Sequence, residues 1–75
     1  MNDQEYYKAV GTNIKKIRLA KGIKQIELAA NCDFDRQNMF KIENSGMNLT
    51  LKTLRIIAQA LDVSVIDLLY FKPKK

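Results

Sequence analysis

Apolar positions recur along this chain at helical spacing and nowhere alternate with the two-residue period of a half-buried strand. Tyr7, Val10, Ile14 and Ile17 fall at i, i+3, i+7 and i+10 and predict a first helix from about Asp3 to Lys21. Asn2 or Asp3 caps it, and Glu5, three residues after Asn2, completes a capping box. Gly22 then ends the helix in a left-handed conformation. Gly11 lies inside the helix, where glycine costs up to about 1 kcal/mol relative to alanine. Its presence predicts close approach by another backbone.

The stretch from Lys24 to Glu43 is patterned in shorter pieces. Leu28, Ala29 and Cys32 mark one apolar stripe and Met39 and Ile42 a second, with Asn31-Cys32-Asp33-Phe34-Asp35 between them. Small polar residues there tolerate turn dihedrals, and Phe34 supplies one apolar anchor. The pattern predicts two short helices, Gln25 to Asn31 and Arg36 to Asn44, joined by a tight turn. This is a helix-turn-helix. Asp35 is a good N-cap for the later helix, and Lys24 a poor one for the earlier.

Asn44-Ser45-Gly46-Met47-Asn48-Leu49 is a loop by composition. Thr50 caps a fourth helix, whose stripe is Leu51, Leu54, Ala58 and Leu61, widened by Ile57. Asp62 and Val63 break it. Ser64, with Asp67 three residues on, caps a short fifth helix that ends near Tyr70 and turns Leu68 and Leu69 inward. Phe71-Lys72-Pro73-Lys74-Lys75 follows as a mobile tail, because Pro73 cannot continue a helix. The expected fold class is all-α, with one five-helix domain over 1–71 and a short basic tail at 72–75.

Composition narrows the chemistry. A single core in a 75-residue chain supplies only about 3–5 kcal/mol of net stability. The 47% hydrophobic content is nevertheless ample for a compact domain. Thirteen Lys and Arg against eight Asp and Glu give +5 and a pI near 9.5, which favours a polyanionic partner. One Cys and no His exclude an internal disulfide and a zinc site of the usual ligands. Cys32 reads as a buried structural thiol rather than a redox switch. The scattered carboxylates offer no site for general acid–base or nucleophilic chemistry, so neither enzymatic activity nor a cofactor is expected. The N-terminus lacks a signal-peptide layout, and no apolar run approaches the ~20 residues that span a bilayer. A cytoplasmic protein with no membrane partner is expected.

Arg36, Gln37, Asn38 and Lys41 fall on the side of the third helix opposite Met39 and Ile42. Such side chains hydrogen-bond base edges and phosphates, so double-stranded DNA is the expected partner. If the start of the second helix faces DNA, its amides and dipole favour a phosphate there, with Lys24 and Gln25 adding contacts.

Seven segments carry a resemblance: Gly11-x-x-Ile14, Arg18-x-x-x-Gly22, Gln25-x-x-Leu28-Ala29, Met39-x-x-Ile42-Glu43, Thr50-x-x-Thr53-Leu54, Ile57-Ala58-x-Ala60-Leu61 and Val63-Ser64-x-x-x-Leu68. None is diagnostic alone. In this order and spacing the chain resembles the Cro and phage-repressor (XRE-type) DNA-binding family. The resemblance implies a lambda-repressor-like domain of five helices. It also implies an internal ion pair between Arg18 and Glu43, the alternative being two solvated charges worth little. Arg36, Gln37 and Lys41 match base-reading positions, with Asn38 among them. Gln25 and Asn44 match phosphate-contacting positions, with Lys24 beside them, and Asn48, Thr50 and Lys52 complete the expected phosphate set.

The departures concern loops and one outward side chain. Lys24 stands where Ser or Thr usually precedes the glutamine. Asp33 replaces a turn glycine, and Asp is among the few residues that tolerate the left-handed region. Ser45 occupies a usual glycine position, with Gly46 shifted by one, and Leu49 replaces a common proline. Phe40 falls on the outward side of the third helix, where the family usually has a polar residue. It could touch a thymine methyl, pack on a neighbour or lie exposed. Ile26 is also outward and apolar.

The function expected is a sequence-specific transcriptional regulator, a dimeric repressor reading an inverted repeat whose half-sites lie ~34 Å apart. The homodimer is expected to form through Val65, Ile66, Leu69, Tyr70 and Phe71, more apolar side chains than so short an end can bury. The alternative is that several of them cap the core. A different class also fits: an antitoxin-type interaction module whose main partner is another protein, with DNA binding secondary.

Overall fold

The computed structural model describes residues 1–71, and the expected basic tail at 72–75 lies outside them. The helices are α1 (Asp3–Ala20), α2 (Gln25–Asn31), α3 (Arg36–Asn44), α4 (Leu51–Leu61) and α5 (Val65–Leu69). No strand occurs among the described residues. The all-α, five-helix expectation is met.

Local capping chemistry sets most of the boundaries. Asn2 is the cap of α1: its Oδ1 accepts from the Glu5 N–H at 2.8 Å, and the Glu5 carboxylate accepts from the Asn2 N–H at 3.1 Å. α1 ends at Ala20, one residue inside the expected end, with Lys21 as its C-cap and Gly22 following at φ +70°. Lys24 makes no side-chain cap for α2, and Glu27 compensates by accepting from the Lys24 N–H at 2.9 Å. Asp35 caps α3 through the Asn38 N–H at 2.7 Å, and Thr50 caps α4 through the Thr53 N–H at 3.1 Å. Ser64 and Asp67 form a reciprocal box at α5, with bonds of 3.2 and 2.9 Å. Each cap satisfies backbone donors that the first turn of a helix leaves without intrahelical partners.

Two unusual loops adopt left-handed backbone. Asp33, in the α2–α3 turn, has φ +58°. After α3, Ser45 stays at negative φ and Gly46 reverses the chain at φ +68°. Shifting the glycine by one residue therefore moves the left-handed position with it.

The core joins Val10 and Ile14 of α1, Leu28 and Ala29 of α2, Met39 and Ile42 of α3, and Leu54, Ile57, Ala58 and Leu61 of α4, with Cys32 and Leu68. α3 packs on α1 and α2, α5 packs on α1 and α4, and α2 touches α4. At Gly11 a Cβ would collide with the Ile42 carbonyl oxygen and sit 3.1 Å from that of Glu43. α1 therefore meets α3 backbone to backbone, which explains the glycine.

Three expectations are corrected. Leu51 is 68% exposed, so the inward stripe of α4 begins at Leu54. Leu69 does not turn inward with Leu68: neighbours on a helix point about 100° apart, and in a one-turn helix only one of them faces the core. Phe71 is not part of a mobile tail but packs on the core and on Tyr6, with ring centroids 5.4 Å apart. Cys32 is buried, and loss of solvation pushes its thiol pKa above the ordinary value, as suits a structural cysteine. No helix among the described residues is long and apolar enough to cross a membrane.

Candidate nucleic-acid interface

α3 has a greasy back and a polar front. Met39, Ile42 and Glu43 are buried, whereas Arg36, Gln37 and Lys41 are exposed on the other side. Asn38 is half-buried beside the cap. Arg36, Gln37, Phe40 and Lys41 line one shallow depression together with Gln25 from the start of α2. The fold thus brings the two helices' polar ends to a common face.

Behind that face lies a buried charge. Glu43 accepts from Arg18 Nε at 2.7 Å and from Arg18 Nη2 at 3.0 Å, while Arg18 Nη1 donates to the Ile23 carbonyl at 2.8 Å. Gln25 adds a third donor, its Nε2 lying 3.1 Å from Glu43 Oε1. Among the described residues no buried side-chain nitrogen or oxygen lacks a partner. The bidentate fork fixes orientation as well as charge, so α3 is locked to both α1 and α2.

The remaining candidates are placed less uniformly. Lys24, Asn48 and Lys52 are exposed at the start of α2 and around the start of α4. The Thr50 hydroxyl is engaged in capping α4 and donates to Thr53 Oγ1 at 3.0 Å. The Asn44 amide donates to the Phe40 carbonyl at 2.9 Å. Of the proposed dimer residues, Val65 and Phe71 are half-buried against the core, so they cap the monomer. Ile66, Leu69 and Tyr70 remain exposed, Ile66 at 74% and Tyr70 at 83%.

Two positioning residues escaped the sequence reading. Asn13 donates to the Leu68 carbonyl at 2.8 Å and also reaches those of Asp67 and Tyr70, holding the end of α5 on α1. Gln4 donates to the Ser45 and Gly46 carbonyls at 3.3 Å and pins the loop after α3. Asn13 had one visible signal, a polar residue bordering the Ile14 stripe, and Gln4 had none. Among the described residues no group of three His, Cys, Asp or Glu side chains is arranged to hold a metal ion.

A helix clamped from behind, entered through a tight turn and polar in front, defines a helix-turn-helix protein. A family model described as helix-turn-helix matches residues 14–68. The chain belongs to the XRE-type helix-turn-helix family of DNA-binding transcriptional regulators. It is 39% identical over 61 residues to an uncharacterized HTH-type transcriptional regulator of Sinorhizobium fredii, covering 81% of this chain and 79% of that one. The restriction–modification controller protein C.AhdI from Aeromonas hydrophila has a similar structure, with a TM-score of 0.78 and 29% identity over 83% of this chain and 94% of that one. The wild-type controller protein C.Esp1396I matches with a TM-score of 0.75 and 40% identity, over 84% and 82% respectively.

Proposed function

We propose that this regulator binds double-stranded DNA as a homodimer on an inverted repeat and represses from that site, with α3 in the major groove. The observation that carries the reading is the division of α3: Arg36, Gln37 and Lys41 stand free on one side while Met39, Ile42 and Glu43 anchor the other. Arg36, Gln37 and Lys41, with Asn38 beside them, read base edges, each good bidentate contact contributing about 1–3 kcal/mol of discrimination. Lys24, Asn48 and Lys52 meet phosphates. Gln25 joins them through the amide proton not given to Glu43, and Asn44 through the one not given to Phe40. Thr50 joins by turning its hydroxyl proton from Thr53 to the phosphate while still capping α4 as an acceptor.

The exposed Ile66, Leu69 and Tyr70 supply the two-fold contact, with Val65 and Phe71 supporting them from within. A two-fold dimer places its half-sites ~34 Å apart. Likeness to two restriction–modification controllers supports a controller role of that kind. Selection from randomised duplexes tests the proposal. The expected result is a palindromic motif with half-sites about one helical turn apart. Enrichment of no motif, or of a single unrepeated one, overturns it.

A further inference from the structure

We infer that Phe40 is a specificity-determining residue that reads a pyrimidine C5-methyl group in the major groove; this rests on α3 reading bases as proposed above. Phe40 is 56% exposed although the core around it is complete, with Met39 and Ile42 on the same helix fully or almost fully buried. Its ring shares a depression with Gln25, Arg36, Gln37 and Lys41, and it is the one apolar side chain among those five. Arg36 lies one turn before it and Gln37 three residues before it, so a base pair met by them is within reach of the ring. The Asn44 amide holds the Phe40 carbonyl at 2.9 Å and braces the backbone that carries the ring.

Groove chemistry supplies the ligand. Arg and Lys suit the O6 and N7 acceptors of guanine, and Gln suits the N6 and N7 of adenine, so the polar side chains favour purines. The one apolar group that a pyrimidine can carry on its major-groove edge is a methyl at C5. Thymine carries it, and 5-methylcytosine carries the same group on the same carbon. A phenyl ring that covers this methyl removes apolar surface from water on both sides. Against uracil or unmodified cytosine it meets only a hydrated C–H edge. Phe40 thus complements the polar residues by reading the pyrimidine of a pair they leave open.

The test uses the full chain and the duplex that selection enriches. Each thymine is replaced by uracil, which removes only the methyl, and each cytosine by 5-methylcytosine, which adds it. Binding is followed by fluorescence anisotropy. At one position in each half-site, loss of the methyl is expected to weaken binding about fourfold, or its gain to strengthen binding by as much. A thymine response and a cytosine response identify which base carries the group. The dependence should vanish in Phe40→Ala and largely persist in Phe40→Leu, which keeps an apolar surface. If selection enriches a motif yet no methyl matters, or methyl dependence survives in Phe40→Ala, the role of Phe40 is overturned and base reading by α3 stands. If selection enriches nothing, both fall.

Discussion

Arg18 and Glu43 form a two-bond fork, Nε to Oε2 at 2.7 Å and Nη2 to Oε1 at 3.0 Å, with both residues buried. Removing one partner strands the other without its counter-charge. Arg18→Ala is expected to cost roughly 3–5 kcal/mol, comparable to the whole stability of so small a domain. Denaturant unfolding of the free protein measures it. An Arg18→Met, Glu43→Leu double variant should recover much of the loss, because two apolar side chains leave no buried charge. A melt unaltered in Arg18→Ala would show that the fork is not needed.

Gly11→Ala sets two effects against each other. Helix propensity favours alanine by up to about 1 kcal/mol. The new Cβ, however, runs into the Ile42 carbonyl oxygen, which is backbone and cannot swing aside. Overpacking of this kind costs about 1–3 kcal/mol, so net destabilisation is expected. A lowered midpoint with an unchanged denaturant slope is the expected signature; a raised midpoint would refute the close approach of α1 to α3.

Base and phosphate contacts should separate experimentally. Lys41→Ala or Gln37→Ala should relax preference at one position of each half-site in a randomised-duplex selection. Lys24→Ala should weaken all sequences alike and reduce the salt slope by about one. Unchanged selectivity in the first pair, or a sequence-dependent effect in the second, would reassign those residues.

Ile66→Glu should abolish self-association without harming the monomer, since its side chain is 74% exposed and none of the core rests on it. Sedimentation velocity checks this. A native protein that dimerises beside a monomeric variant with an intact thermal transition is the expected pair of results. Dimerisation retained in the variant would move the interface elsewhere.

The helices were legible where a cap and a stripe coincide. Asn2 with Glu5, Asp35, Thr50, and Ser64 with Asp67 each act within three residues, and all four appear as read. The polar front of α3 was legible for the same reason, as helical spacing alone separates Arg36, Gln37 and Lys41 from Met39 and Ile42. Leu51 and Leu69 misled because apolar character says that a side chain can be buried, not that a neighbour arrives to cover it. Val65 and Phe71 follow the alternative left open for that end of the chain, being partly covered by the core.

Local physics therefore determined which segments are helical, where they start and which side of the third one is polar. Tertiary structure alone decided what the Gln25, Asn13 and Gln4 amides grip. Gln25 reaches Glu43 across 18 residues, Asn13 reaches Leu68 across 55 and Gln4 reaches Ser45 across 41. Periodicity carries no information at such separations. These bonds exist because packing the apolar stripes brings distant backbone and carboxylate oxygens within reach of amides whose own helices had no use for them.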